Sequence, residues 1–157
     1  MKTINSIMVA IDFSDYSRPA VRYAARLAED VRADLLLVNI INQRDVNMMK
    51  KVANEAPAFS LETYLEEIRQ DREDGFQKLM KDAHCEKIAF KTVIRIGVPY
   101  QELLKVIESR KPDLLVMATK GRSNLVDTIV GSCALKMFRR SPIPILSIRS
   151  DGEAAKS

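Results

Sequence analysis

The sequence has no tryptophan, a single histidine and only two cysteines among its 157 residues. Cys85 and Cys133 lie far apart, and their spacing matches no metal-binding or redox motif. We expect both to be buried or half-buried free thiols, because unpaired cysteine behaves as a small apolar residue. His84 ends a charged helical stretch, where we expect it at the surface or at a hinge. With one histidine and two cysteines, no Ser–His–acid or Cys–His catalytic set can be assembled, so we predict no significant catalysis.

Long apolar runs are also missing. The runs at residues 35–38 and 114–118 are typical in length, and they are far shorter than the roughly 20 residues that a membrane-spanning helix needs. Residues 1–6 lead directly into a strand-like stretch, without the basic segment, apolar segment and cleavage site of a signal peptide. We therefore expect a cytoplasmic protein that is not attached to a membrane.

Neither sign of charge dominates strongly. The 25 basic residues outnumber the 21 acidic ones by a net +4, and the pI is about 9.1. A basic pI invites a nucleic-acid partner, but Arg18, Arg22 and Arg26 share their predicted helix with acidic residues, and Lys50 and Lys51 fall in a predicted loop. No basic strand carries the aromatic residues that stack on bases. We predict no nucleic-acid binding.

Apolar blocks rich in β-branched residues alternate with helical patterns along the whole chain. The length fits one domain, which we place at residues 1–150, followed by a flexible tail at 151–157. Gly75 interrupts one predicted helix, and nothing in the sequence explains it. The predicted strands cover residues 7–11, 35–41, 88–96, 114–118 and 143–148, and the predicted helices begin near Pro19, Ser60, Pro99 and Gly131.

This alternation predicts an α/β fold: an open, doubly wound, five-stranded parallel sheet with helices on both faces, Rossmann-like, with strand order 3-2-1-4-5. In such sheets the ligand crevice lies beyond the carboxyl ends of the strands, where the strand order reverses. The residues expected there are Asp12, 40–43, Gly97 and 118–121. Residues 42–59 show no clean period, and we interpret them as a loop that covers the site or carries a short helix of its own.

The most informative stretch is residues 118–123, continued at Gly131 and Ser132. A loop that leaves a parallel strand and enters a helix offers unpaired N–H groups and a positive dipole end to a phosphate. Gly121 and Gly131 allow close approach of the backbone, and Lys120 and Arg122 supply positive charge. The alternative is that Gly121 only makes a turn and that Gly131 and Ser132 only cap a helix. The stretch matches neither the P-loop nor the dinucleotide-binding motif.

The sequence resembles the universal stress protein family over nearly all of residues 4–149. That family carries the motif G-x2-G-x9-G-[ST] after its fourth strand, and Gly121, Gly131 and Ser132 occupy its second, third and fourth elements. Residues 7–14 and 36–40 resemble the family's first two strands. Residues 97–99 resemble its third-strand exit, and residues 113–117 and 142–146 its last two strands.

One element of the motif differs, because Ala118 stands where the family has its first glycine. If that position needs a positive φ or very close backbone approach, Ala118 is strained or keeps the ligand away. If the position needs only a small side chain, alanine is compatible with nucleotide binding. The sequence alone leaves both interpretations open.

The resemblance implies that this chain binds ATP or AMP, with Mg²⁺ as a further component. Asp12 would contact the ribose end or help to hold Mg²⁺; the alternative is an ordinary residue at a helix entry. The nucleotide-binding residues that the resemblance implies, together with the charged neighbours in the loop, are Ala10, Asp12, Ile40, Met117, Ala118, Lys120, Gly121, Arg122, Gly131, Ser132 and Cys133.

The resemblance further implies a stress-response regulatory protein that forms a homodimer through its last strand, at residues 144–148. Two alternatives remain: a dimeric interaction module that needs no nucleotide, and a slow ATPase. A response-regulator receiver shares the architecture, but the sequence lacks the paired acids, the aspartate and the lysine that a receiver places after its first, third and fifth strands.

Overall fold

The computed structural model describes residues 2–120 and 131–149. Predictions for residues 121–130 and for the tail lie outside these residues. Within the described ranges, no helix is long and apolar enough to cross a membrane. The elements in chain order are β1 (Ser6–Ala10), α1 (Ser17–Val31), β2 (Asp34–Asn42), α2 (Gln43–Glu55), α3 (Leu61–Asp82), β3 (Lys91–Gly97), α4 (Pro99–Arg110), β4 (Leu114–Ala118), α5 (Ser132–Arg140) and β5 (Ile145–Ile148).

The five strands form one sheet in the order β3-β2-β1-β4-β5, and every pair is parallel. The predicted fold class and strand order are therefore confirmed. Central strand β1 pairs on both sides, with Ile7 opposite Leu35 in β2 and Leu114 in β4. The strand order reverses at β1 and β4, so the ligand crevice is expected above their carboxyl ends.

The sheet is covered on both faces because successive strand residues point to opposite sides. Ile7 and Val9 belong to a core that includes residues of α1 and α3. Met8, between them, belongs to a second core with residues of α4 and α5. These two apolar layers hold the strand ends in place and thereby fix the floor of the crevice.

The stretch over residues 42–59 contains helix α2, so the prediction that Lys50 and Lys51 lie in a loop is wrong. Asn42 ends β2 and caps α2, with its side-chain oxygen accepting a hydrogen bond from the Arg44 N–H. Only Val46 of the helix is buried. Val46, Met49 and Ala53 lie at helical spacing, but Met49 and Ala53 are only half-buried, so the apolar stripe of this helix is short and weak.

Two predicted strands begin too early. Ile88 is hydrogen-bonded back to the Cys85 carbonyl in a turn, and β3 starts only at Lys91. The last strand starts at Ile145 rather than at residue 143, because the Ser141 hydroxyl bonds both the N–H and the carbonyl of Ile143 and holds it in a turn. β5 lies at one edge of the sheet.

Candidate functional site

A cavity of about 500 Å³ opens at the carboxyl ends of β1, β2 and β4. Its position is the one expected from the reversal of strand order. Gly121 and Arg122, which belong to the predicted site, lie outside the described residues. The nine predicted site residues within the described ranges all line this cavity: Ala10, Asp12, Ile40, Met117, Ala118, Lys120, Gly131, Ser132 and Cys133.

The amino end of α5 forms one wall of the cavity. Gly131 is the N-cap, no side chain of residues 2–120 or 131–149 caps the helix, and no acidic residue lies in its first turn. The Gly131 N–H donates to the Thr119 carbonyl at 2.6 Å, which brings the end of β4 and the start of α5 together. The first N–H groups of a helix have no partner within it, and they form the positive end of its dipole. This wall can receive an anion.

Ala118 sits in β4 opposite Ile148 of β5. Positive φ among the described non-glycine residues occurs at Phe13, Arg32, His84 and Lys111, so Ala118 is not in a left-handed conformation. Strain from a positive φ at Ala118 is therefore excluded, while its effect on the close approach of a ligand stays a prediction. Its methyl group adds a small side chain to the cavity wall without disturbing the backbone.

Asp12 closes the turn between β1 and α1. Its Oδ1 accepts hydrogen bonds from the Ser14 N–H and from the Ser17 hydroxyl, both at 3.0 Å. It is thus a helix-entry residue, as one interpretation of the sequence held, and it also lines the cavity. These bonds hold its carboxylate in one orientation at the cavity wall.

The next residue, Phe13, has a φ of 61°, which is uncommon for a bulky residue and strains the backbone. Its ring lies against Phe76 of α3, with centroids 5.2 Å apart. The guanidinium of Arg72 lies over the same ring at 5.5 Å. Helix α3 therefore fixes the strained turn that carries Asp12.

Asn39 is a cavity residue that the sequence analysis missed. It is 4% exposed, and its Nδ2 donates to the Ile11 carbonyl at 2.8 Å. Because that carbonyl can only accept, the amide orientation is fixed. The buried Oδ1 has no hydrogen-bond partner among the described residues. A polar residue between Val38 and Ile40 in an otherwise apolar strand was the signal that could have revealed it.

Helices α2 and α3 also reach the cavity. Arg44 and Asp45 from the first turn of α2 line it, and so does Arg72 from α3. Arg44 and Asp45 are missed by the sequence prediction, which leaves open whether residues 42–59 form a loop or carry a short helix. The cavity therefore has cationic groups on its α2 and α3 side as well as Lys120 near α5.

Both cysteines are free thiols, Cys85 buried and Cys133 partly buried, as predicted. Burial raises the pKa of Cys133 to about 11, the negative charge of Asp12 acts in the same direction, and Lys136 opposes them. Burial also raises the pKa of Cys85, against the opposing charges of Arg26 and Arg22. Both thiols are therefore protonated near neutral pH and are weak nucleophiles.

His84 is exposed in a turn after α3, as predicted, and does not line the cavity. Within residues 2–120 and 131–149, no three or more His, Cys, Asp or Glu side chains are grouped to hold a metal ion. A cation at this site would take Asp12 as one ligand and oxygen atoms of the ligand or water as the others. Mg²⁺ suits such a site, because it takes few protein ligands.

Three known proteins illustrate what the chain is similar to. The universal stress protein YxiE of Bacillus subtilis is 28% identical over 150 residues, which cover 92% of this chain and 99% of that protein. The structure of a universal stress protein in complex with cAMP has a TM-score of 0.63 at 21% identity, covering 95% and 99% of the two chains. That of a universal stress protein from Archaeoglobus fulgidus in complex with dAMP has a TM-score of 0.57 at 14% identity, covering 94% and 99%.

These two structural likenesses, at such low identity, show the fold. The assignment to a family comes from the sequence, because the family model described as "Universal stress protein family" matches residues 3–149. The match spans all five strands of the sheet. The chain belongs to the universal stress protein family.

Proposed function

We propose that this chain binds an adenine nucleotide, ATP or AMP, in the crevice above β1, β2 and β4, and that it acts as a stress-response regulatory protein without significant catalysis. The observation that carries the proposal is the gathering of all nine described candidate residues around one cavity. They come from four separate segments of the chain, so sequence proximity does not explain their meeting.

The phosphates are proposed to lie at the amino end of α5. Among the residues that the structure describes, no side chain caps the N–H groups that follow Gly131, and phosphate oxygens fit such a helix end. Lys120 lines the same cavity and adds positive charge. Ser132 is exposed as the first residue of the helix, where its hydroxyl is available to a phosphate oxygen.

The adenine and ribose are proposed to lie toward the end of β2. Ala10, Ile40 and Met117 offer apolar surface on the face of the sheet that α4 and α5 cover. A mostly apolar pocket with a few placed polar groups is typical of small-molecule sites. Asp12 lies on this floor with its carboxylate oriented by Ser14 and Ser17, where it can meet a ribose hydroxyl or a Mg²⁺ ion brought by the nucleotide.

The ligands of solved relatives agree with this choice of base. One universal stress protein of the same fold was solved with cAMP and another with dAMP, and both ligands contain adenine and a phosphate. We infer binding of the nucleotide rather than its turnover. A general base is most often a histidine, and His84, the single histidine of the chain, does not line the cavity. Slow ATP hydrolysis is the alternative, with Lys120 stabilising charge.

The active species is proposed to be a homodimer that pairs through β5. This strand lies at the sheet edge, where unpaired backbone groups are available to a second copy. The stress role is carried over from the family. The cytoplasmic location stays a prediction.

The test is a calorimetric titration of the nucleotide-stripped protein with ATP and Mg²⁺, alongside two variants of Gly131. Gly131→Arg places a long side chain at the helix end and should abolish binding. Gly131→Ala is the matched control, because the backbone angles of Gly131, φ −69° and ψ 157°, are ones that alanine adopts readily. Its dissociation constant for ATP should stay within about threefold of that of the unmodified chain. Circular dichroism checks that both variants fold.

Saturable binding that Gly131→Arg loses and Gly131→Ala keeps would support the site at the start of α5. Binding that survives Gly131→Arg unchanged would contradict that location. Absence of binding to the unmodified chain would contradict nucleotide binding itself, and the dimeric interaction module would then be the better account.

A further inference from the structure

Helix α2 is held to the rest of the domain by few contacts. Of its 13 residues only Val46 is buried, while Met48 and Val52 are 61% and 41% exposed. A helix of this length is marginal on its own in water, so its position depends on this small set of tertiary contacts. Elements with so little buried apolar surface move at a low cost in free energy.

An open gap of about 380 Å³ lies beside this helix. Met48 of α2 borders it on one side, and Val98, at the turn from β3 to α4, borders it on the other. Val98 is 40% exposed. A movement of α2 toward α4 would close the gap and bury the two apolar side chains against each other, which favours the closed position by the hydrophobic effect.

The gap and the crevice meet at the first turn of α2. Asn42 and Arg44 line both spaces, and Asp45 lines the crevice. Asn42 is at once the last residue of β2 and the N-cap of α2, so the helix joins the sheet at a single residue. A rotation about this junction that closes the gap also changes the position of Arg44 above the crevice.

The positive charges at the amino end of α2 relate this movement to ligand binding. Arg44 is exposed, and the amino end of α2 is the positive end of the helix dipole. A bound nucleotide brings negative charge into the crevice and attracts both, against the repulsion of the Asp45 carboxylate in the same turn. It therefore stabilises the closed position more than the open one, and only such a differential interaction shifts the balance between two states.

We propose that α2 is a lid that closes over the bound nucleotide, with Met48 packing against Val98 and Arg44 moving over the anionic part of the ligand. This proposal rests on the proposed nucleotide binding. Its consequence is slow release, because the ligand leaves only when the lid opens.

The experiment uses the full chain with and without ATP and Mg²⁺. Hydrogen exchange is measured over residues 43–55, and trypsin cleavage after Arg44, Lys50 and Lys51 is followed in parallel. We expect bound ATP to slow exchange and cleavage in α2 about tenfold. A stopped-flow displacement experiment with unlabelled ATP, after loading a fluorescent ATP analogue, gives the dissociation rate.

Two variants remove the proposed contact from opposite sides. Met48→Asp should raise the dissociation rate about tenfold and abolish the protection of α2, while calorimetry still shows saturable binding. Val98→Ser should act in the same way, and it keeps α4 intact because serine is a favoured N-cap residue. Val52→Asp is the matched control, since Val52 is an exposed apolar residue of the same helix outside the gap lining.

Several outcomes would overturn the lid. If ATP binds by calorimetry but leaves exchange in α2 unchanged, the lid is wrong and nucleotide binding stands. If Val52→Asp accelerates release as much as Met48→Asp does, the effect comes from a general loosening of α2 and not from contact with Val98. If the unmodified chain binds no ATP, the lid and the proposed function both fail.

Discussion

The ring of Phe13 occupies the space into which a side chain at Gly75 would project. A Cβ built on Gly75 would lie 2.8 Å from Cε1 of Phe13, closer than two carbon atoms can approach without displacement. The absence of a side chain in the middle of α3 is therefore what allows the strained turn after Asp12 to rest on this helix. Gly75, which the sequence left unexplained, has its reason in tertiary packing.

Gly75→Ala should lower the free energy of unfolding by about 1 kcal/mol. Alanine gains about 1 kcal/mol in helix propensity, but forcing a methyl group against the Phe13 ring costs about 1–3 kcal/mol. Urea unfolding measures the change. Gln77→Ala, at an exposed position of the same helix, is the control and should change stability by less than about 0.5 kcal/mol. A Gly75→Ala protein more stable than the unmodified chain would contradict this packing.

The raised pKa of Cys133 makes a prediction for alkaline pH. The folded state favours the neutral thiol, so stability from this group is complete below the ordinary pKa of 9.0 and is lost as pH rises through the folded value of about 11. The full loss is roughly 2–3 kcal/mol. Cys133→Ala should remove this part of the pH dependence, so the difference in unfolding free energy between the two proteins should shrink between pH 9 and 11. A difference that stays constant over that range would contradict the raised pKa.

Asp113 makes the opposite prediction, at acid pH. The ion pair with Lys2 at 2.9 Å and the N–H groups of Asn5 and Ser6 hold the pKa of this carboxyl below its ordinary 3.8. Its contribution to stability is therefore present above pH 3.8 and is lost as pH falls through the lower, folded pKa. Asp113→Asn should be less stable at neutral pH and match the unmodified chain in strong acid.

Urea unfolding at a series of pH values between 2 and 7 provides the measurement for Asp113. Lys2→Ala is the control, and its effect should be smaller because Lys2 is 81% exposed and exposed ion pairs contribute little. If Asp113→Asn loses the same amount of stability at pH 2 as at pH 7, the carboxylate is not the source of the effect.

The edge strand β5 allows a direct test of the proposed dimer. Pro144 and Ile148 turn their carbonyls toward β4, so by the alternation along a strand the N–H of Ser147 points outward. Ser147→Pro removes that N–H donor. Proline is tolerated in an edge strand where the lost N–H faces away from the sheet. The variant should be a folded monomer in sedimentation at micromolar concentration, while Ser147→Ala stays dimeric. A monomeric unmodified chain would refute the dimer, and a dimeric Ser147→Pro would place the contact elsewhere.

The fold could be predicted because the buried parallel strands are continuous apolar runs separated by helical patterns. The crevice followed from the fold, since the strand ends beside the reversal of strand order are brought together by the sheet. Asp12, Ile40 and Ala118 could therefore be expected at one crevice although they are far apart in sequence. Gly97, expected there too, does not line the cavity, because β3 is the strand farthest from the reversal. Gly131 is predicted from the loop motif and the family resemblance.

What escaped prediction depends on tertiary contacts that leave no period in the sequence. Helix α2 fully buries only Val46, so its short apolar stripe does not distinguish a helix from a loop in the sequence. The start of β3 is set by pairing, with Lys91 opposite Leu36, and not by the apolar residues before it. Asn39 lines the cavity and is held there by its hydrogen bond to the Ile11 carbonyl, a contact that no local sequence pattern records.

The hydrogen bond between the Gly131 N–H and the Thr119 carbonyl has a mechanical consequence for the cavity. It joins the end of β4 to the start of α5 directly. Because a hydrogen bond keeps its two partners within about 3 Å of each other, a displacement of the start of α5 carries the end of β4 with it. The two segments of the cavity wall therefore move as one unit.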